Sequence, residues 1–596
     1  MASEGSLVLM AALLLSTLGC ALGPRGPRPV AAPAAVASKS TAPAVSSRPN
    51  LVVVLSDDHR WDALGAAGNP AVHTPVMDGM VRDGVYFRQA TVSVSQCHPI
   101  RASLLTGLPA FRHGVYSTKL VAPGVAETLC KRPTVAGLLK QAGYHTVVVG
   151  KWHVPPPPWE CGFDEVRTWL PEGGSTFRDP ELVHGVSHEH ETVPGFTQEI
   201  FADDALAFLH GEAAQAGPFL LWLGFTAPHL PYEPNPERIE ALYAGRSDEE
   251  LLPPGFPRDV QANDWRHYDE AVSHLDEQLG RVLAALRETG LAERTVVVLL
   301  GDNGYMMGER GIGGPDSGAN GKQVPYESSL RVPFVVTGPG LPKGLVSDLP
   351  VSSMDLPPTL LALAGIPVPD SWTGRDLVAA LAGKLEVREA FVEWSDEESQ
   401  SFGRLAFRAV RTPAHKLIVW KDPARSDELY DLAADPAEAA NLIADPPAQE
   451  VLRDLRSRLA VWMQRTADPA LSWPGKFWAC LGIGREGFAP RPSFQSLAGK
   501  LSRLRSLQLC PRVKPRGGNS PGLFYVSRLR RDVPSLAAPK RRVRTVPAQP
   551  AQERSGRSSA RQPTGCAQVR FWPHQAAREL GRLGSVTCLP FPLRAD

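Results

Sequence analysis

The chain has 596 residues, 43% of them hydrophobic and 21% charged. That is enough for one large core and a smaller one, because single cores stop growing near ~250–300 residues. Eight Cys in this length exclude a disulfide scaffold, and past the N-terminus there is no apolar stretch of ~20 residues to span a membrane. The net charge of +1 conceals a division: residues 481–596 carry 22 Lys and Arg against 5 Asp and Glu, a net of +17, leaving −16 for residues 1–480.

In chain order, Leu7–Leu18 is an apolar run too short for a typical transmembrane helix. It reads as the core of a signal peptide spanning residues 1–23, cleaved near Ala21–Gly23. The segment before it lacks Lys and Arg and carries Glu4, so an uncleaved anchor or a buried helix are the alternatives. Secretion, or delivery to a periplasm or lumen, is the expectation. No Asn-x-Ser/Thr acceptor occurs, so lysosomal sorting through an N-glycan has no obvious handle. Residues 24–48 are rich in Pro, Ala, Ser and Val without a period, as in a flexible spacer.

Globular structure is predicted from Asn50. Leu51–Leu55 is a short β-branched apolar run, the pattern of a fully buried parallel strand. The pattern returns at Thr146–Val149, Phe219–Phe225, Thr295–Leu300 and Val332–Val336. Helical stretches separate these runs, among them Thr134–Ala142 and Tyr268–Thr289. In the second, Ala271, Leu275, Leu279, Val282 and Leu283 recur at three- and four-residue spacing. The alternation predicts an α/β fold, a large central and mostly parallel sheet sandwiched by helices, over residues 49–375. Residues 376–480 predict a smaller C-terminal subdomain with an antiparallel sheet: a hairpin at Phe407–Val419 turning at Thr412, then an amphipathic helix at Val451–Met463. Cys130 and Cys161 are able to pair, which sequence alone leaves open. The tail, 481–596, is rich in Arg, Pro, Ser and Gly without a period and reads as disordered. Such a tail binds polyanions or is merely solvated; no nucleic-acid partner is expected.

Polar residues follow the strands directly: Asp57 and Asp58 the first, Lys151 and His153 the second, His229 the third, Asp302 and Asn303 the fourth. Ligands of open parallel sheets bind outside the carboxyl ends of the strands, so this reading gathers them at one edge. The four oxygen donors suit a hard cation. Between the first two strands lies Ser95-Gln-Cys-His-Pro-Ile-Arg-Ala-Ser-Leu-Leu-Thr-Gly107. If this segment is helical, Arg101 stands one turn from Cys97.

Cys-x-Pro-x-Arg followed by Leu-Leu-Thr-Gly resembles the signature of the sulfatase family. LSDDHR, GKWH, TAPHLPY, GDNGYMMGERG and the segment around Lys322 resemble its other motifs, over roughly residues 50–469. The run from Glu428 to Asn441 resembles a segment near the C-terminal end of sulfatases. The heparan N-sulfatase (sulfamidase) and arylsulfatase types look nearest. The resemblance implies that Cys97 is oxidised by a formylglycine-generating enzyme to formylglycine, whose hydrate attacks sulfur. It makes Asp57, Asp58, Asp302, Asn303 and modified Cys97 the shell of one divalent metal, Ca²⁺. Lys151 and Lys322 hold the sulfuryl oxygens, Arg101 anchors the formylglycine, His229 with Lys322 protonates the leaving alcohol, and His153 takes a proton from the second hydroxyl. Ile100 departs from the usual Ser or Ala and bears on how efficiently Cys97 is converted; His98 fills a variable slot, where a loop role is expected. Substrate choice is expected in the loop-like segments 159–198 and 232–264.

The resulting expectation is a secreted sulfuric ester hydrolase acting on a sulfated small molecule or glycan, with sulfamate not separated from ester. Two alternatives stand beside it: a phosphonate monoester or phosphodiester hydrolase of the same superfamily, and a non-catalytic binder of sulfated glycans whose Cys97 is never modified.

Overall fold

The computed structural model describes residues 48–257, 264–313, 320–395 and 406–473. The expected signal peptide, nearly all of the spacer and the basic tail lie outside these described residues. Among the described residues no helix is long and apolar enough to cross a membrane.

Ten strands form the central sheet: β1 (Asn50–Ser56), β2 (Val85–Phe87), β3 (His145–Lys151), β4 (Glu165–Leu170), β5 (Glu181–His184), β6 (His190–Thr192), β7 (Phe219–Gly224), β8 (Thr295–Gly301), β9 (Phe334–Thr337) and β10 (Leu345–Ser347). Their order is β10-β2-β9-β8-β1-β7-β3-β4-β5-β6. The central strand β1 pairs in parallel with β7 and β8, and β3 in parallel with β7 and β4. All five apolar residues of β1 are fully buried. Leu51, Val53 and Leu55 pack into the core on one face, Val52 and Val54 into that on the other. A strand covered on both sides must be apolar at every position, and burial of each such side chain contributes about 1.5–3 kcal/mol.

Two sequence expectations need correction. The run Val332–Val336 is a strand from Phe334 to Thr337, and it is antiparallel to both of its neighbours, β8 and β2. The loop joining β8 to β9 stays at the carboxyl edge of β8, where it presents the site, so β9 enters from that edge. Segment 159–198 is also more ordered than a loop. It contains β4, β5 and β6, with β5 antiparallel to both β4 and β6 at the sheet's edge. β6 is exposed along its whole length, so no apolar run marks it.

A second, four-stranded antiparallel sheet contains β11 (Ala390–Trp394), β12 (Phe407–Arg411), β13 (His415–Trp420) and β14 (Glu428–Asp431) in sequential order. The β12–β13 hairpin turns at Thr412, as the sequence predicts, and the helix Gln449–Thr466 covers the sheet, with Trp462 stacked on Phe391 at 4.8 Å. Cys130 and Cys161 form a disulfide.

Candidate active site

The turn after β1 is built first. Asp58 sits at a φ of 59°, a left-handed conformation that strains a residue bearing a Cβ. Tyr268, on the long helix Trp265–Glu288, holds it there: its hydroxyl donates to the Asp58 carbonyl at 2.8 Å and accepts the Arg60 N–H at 2.9 Å. The Arg60 guanidinium binds Asp62 and reaches Glu309 at 2.7 Å, so the LSDDHR turn is tied to the GDNGYMMGERG loop.

Cys97 is the first residue of the helix Cys97–Thr106, which Gly107 ends at a φ of 64°. The thiol is 3% exposed, and burial pushes its pKa up to about 11 despite Lys322 and Arg101. As a plain thiol it is therefore a poor nucleophile at neutral pH. One turn on, Arg101 donates from Nε to Asp302 at 2.8 Å and from Nη1 to the Lys151 carbonyl at 2.7 Å. It thus joins the ends of β8 and β3, one helical turn from Cys97. Ile100 points the other way and is fully buried in the core.

The remaining predicted residues converge on the same place. The Lys322 ammonium lies 2.7 Å from Asp58 and 3.8 Å from the Cys97 sulfur. Burial opposes its charge, but the Asp58 carboxylate more than offsets that, so its pKa stands well above the ordinary lysine value. Lys151 binds Asp57 and the Gly173 carbonyl, and burial lowers its pKa to about 7. His229 bonds the Leu230 carbonyl through Nδ1 and brings Nε2 to 3.8 Å from Asp58. His153 stacks on His98 at 4.8 Å, and its buried Nδ1 has no hydrogen-bond partner. Burial first, then the neighbouring lysines, hold both His153 and His229 well below the ordinary imidazole pKa. Both are therefore neutral rings.

The donor set fits a hard divalent cation. Ligand atoms of Asp57, Asp58 and His229 all lie within 4.8 Å of one another. Asp57 Oδ1 and Asn303 Oδ1 are buried without hydrogen-bond partners, while Asn303 Nδ2 donates to Asp58 at 2.5 Å. Orphaned buried oxygens are costly unless something satisfies them, and oxygen donors of this kind are what such a cation binds. Asp302 is more heavily engaged than the sequence implies, accepting from the Asp58 N–H at 3.3 Å and from Arg101.

Sequence reasoning missed the residues that hold these groups in place. A Cβ on Gly173 would stand 2.8 Å from the His153 ring, one on Gly174 3.1 Å from the His229 ring, and one on Gly224 3.1 Å from the Arg101 guanidinium. Tyr268 and Glu309 were likewise unmarked. The pair Gly173-Gly174, just after β4, was the one available signal.

A family model described as "Sulfatase" matches residues 49–366, and one described as "N-sulphoglucosamine sulphohydrolase, C-terminal" matches residues 316–465. An ulvan-active sulfatase of Formosa agariphila is 29% identical over 432 residues, covering 69% of this chain and 80% of its own. Among solved structures, a protein in complex with its substrate D-glucosamine-2-N,6-O-disulfate superposes with a TM-score of 0.61 at 23% identity, over 71% of this chain and 99% of its own. A phosphonate monoester hydrolase of Agrobacterium radiobacter gives 0.53 at 23% identity, over 70% and 96%. At these identities the two structures speak for the fold alone. The convergence of ten motif residues at one sheet edge and the match of the family model over more than half the chain lead to one conclusion: the protein belongs to the sulfatase family and is a sulfuric ester hydrolase.

Proposed function

We propose that the protein hydrolyses a sulfate ester on a saccharide, using a formylglycine made from Cys97 by a formylglycine-generating enzyme and one bound divalent cation, Ca²⁺. One observation carries this reading: Cys97 starts a buried helix with an ammonium 3.8 Å from its sulfur and the Asp57–Asp58 turn beside it. The saccharide class is supported by the ulvan-active relative.

When present, the formylglycine hydrate would supply the nucleophilic hydroxyl, and the cation, held by Asp57, Asp58, Asp302 and Asn303, the positive charge against which sulfuryl oxygens bind. This chain's own groups do the rest. Lys151 and Lys322 offer preorganised donors to the sulfuryl oxygens. His153 offers its unpartnered Nδ1 as a proton acceptor. Protonating the departing alcohol falls to Lys322, which keeps its protons, rather than to His229, a neutral ring whose Nδ1–H is spent on the Leu230 carbonyl. The Cys130–Cys161 disulfide supports export to an oxidising compartment.

Peptide mass spectrometry across Cys97, beside a panel of sulfated sugars, aryl sulfates, sulfamates, phosphonate monoesters and phosphodiesters, tests the proposal. The expected result is an aldehyde at position 97 and highest efficiency on a sulfate ester. An unmodified Cys97 in active protein, or higher efficiency on a phosphodiester, would overturn it. Unmodified Cys97 with tight glycan binding and no turnover would favour the non-catalytic alternative.

A further inference from the structure

Beside His153 lies a cavity of about 240 Å³, lined by His98, His153, Pro155, Pro157, Trp169 and His188, together with one Val and one further Pro. Ligand sites for drug-sized molecules run to roughly 300–1,000 Å³, so this one takes a single ring. No Lys, Arg, Asp or Glu is among the described residues that line it. Its walls are ring faces. Trp169 spends its indole N–H on the Gly185 carbonyl at 3.1 Å and so presents only apolar surface. Trp159 meets both Trp169 and His188 edge-on, at 5.7 and 5.2 Å, and braces them.

The polar handle is His98. Its Nδ1 lies 3.1 Å from the Ser117 carbonyl. A carbonyl only accepts, so Nδ1 carries the hydrogen and Nε2 keeps its lone pair. A wall that offers an acceptor and apolar faces matches a ring with C–H faces and a hydroxyl donor. A second anion there would meet a lone pair and lose water with no cation to replace it.

We infer that this cavity is the subsite for the sulfate-bearing ring of the substrate, and that it selects an uncharged, hydroxylated sugar with no second sulfate or carboxylate toward His98. The inference rests on the saccharide sulfatase reading above and narrows it.

The test is calorimetric titration of the Cys97→Ala protein, in calcium-containing buffer, with a monosulfated N-acetylhexosamine, its disulfated counterpart and 4-nitrophenyl sulfate. The monosulfated sugar is expected to bind at least about tenfold tighter than the disulfated one. His98→Phe keeps the stacking ring but removes the acceptor, and should weaken the monosulfated sugar about tenfold more than 4-nitrophenyl sulfate. His188 is exposed, so His188→Arg should fold normally; it places a cation in the wall and should erode the preference against the disulfated sugar. Equal or tighter binding of the disulfated sugar by the Cys97→Ala protein overturns the inference, as does an equal loss on both ligands in His98→Phe. Wild-type turnover is read in parallel: absence of hydrolysis counts against the sulfatase reading, and the binding ratio decides the subsite separately.

Discussion

Gly173 matters through the side chain it lacks. The His153 ring fills the space where its Cβ would stand, and its carbonyl takes a hydrogen bond from Lys151. Under the proposed mechanism Gly173→Ala should therefore displace the base His153 and the sulfate-binding Lys151 together, lowering kcat by about 10² while leaving thermal stability near wild type. An unchanged kcat would refute this role. Lys322 invites a finer measurement. If it helps to protonate the leaving alcohol, Lys322→Ala should slow an alkyl or sugar sulfate by at least about tenfold more than 4-nitrophenyl sulfate, whose leaving group needs no proton; an equal loss on both would confine Lys322 to holding sulfate. The candidate site residues were legible because Asp pairs, Gly-Lys-x-His and Cys-x-Pro-x-Arg with its Leu-Leu-Thr-Gly tail, each weak alone, occur together in one chain, most of them directly after readable strands. Tyr268 was not, since one tyrosine on an amphipathic helix has no spacing to betray it, and the Gly173-Gly174 pair marks a turn without saying which rings press on it.

At the scale of elements, Glu327 fastens the small sheet to the large one. It starts the short helix Glu327–Leu330 beside β9 and binds Arg411 of β12 at 2.8 Å and Lys416 of β13 at 3.0 Å, all three buried. Burial alone would raise its pKa; Arg411 and Lys416 more than reverse this and hold it well below the usual carboxylate range. Lys416 keeps Glu438 at 2.5 Å, but Glu327→Ala strands the buried Arg411 guanidinium, so it should cost about 3–5 kcal/mol in urea unfolding. A loss below ~1 kcal/mol would mean that water or Glu438 takes over the guanidinium. None of this network was legible, because its members lie far apart in sequence and become neighbours only through tertiary packing. The strands themselves were legible wherever both faces are buried, as in β1, β7 and β8. They were not at the edges, where β5 and β6 are short and polar, and direction was unreadable for β9, whose apolar run is the same either way up.

For the molecule as a whole, His113 links stability to acidity. The Val115 N–H donates to its Nδ1 at 3.1 Å, so the ring hydrogen sits on Nε2, facing the Ser103 hydroxyl at 2.9 Å. Burial, with Arg132 nearby, pushes its pKa down to about 3. The unfolded chain takes up a proton below about pH 6.5, which the folded one refuses. Stability from this residue is thus present above pH 6.5 and lost as pH falls, by roughly 2–3 kcal/mol between pH 7 and 4.5. Urea midpoints across that range should show the slope, and His113→Gln should flatten it; a slope unchanged in the variant would assign it elsewhere. Deleting residues 481–596 should leave turnover of a small sulfate ester near wild type, because every site residue precedes residue 323; a collapse in activity would show that the tail is needed. Finally, the burial of Cys97 becomes a matter of timing. A side chain 3% exposed at the floor of the site is out of reach of another enzyme's pocket once the sheet has closed. Under the formylglycine reading, its oxidation must come while the chain is still open, and a molecule that folds first is fixed as inactive. Folded, unmodified protein should therefore stay inert to the modifying enzyme, yet become competent when denatured and allowed to refold in its presence.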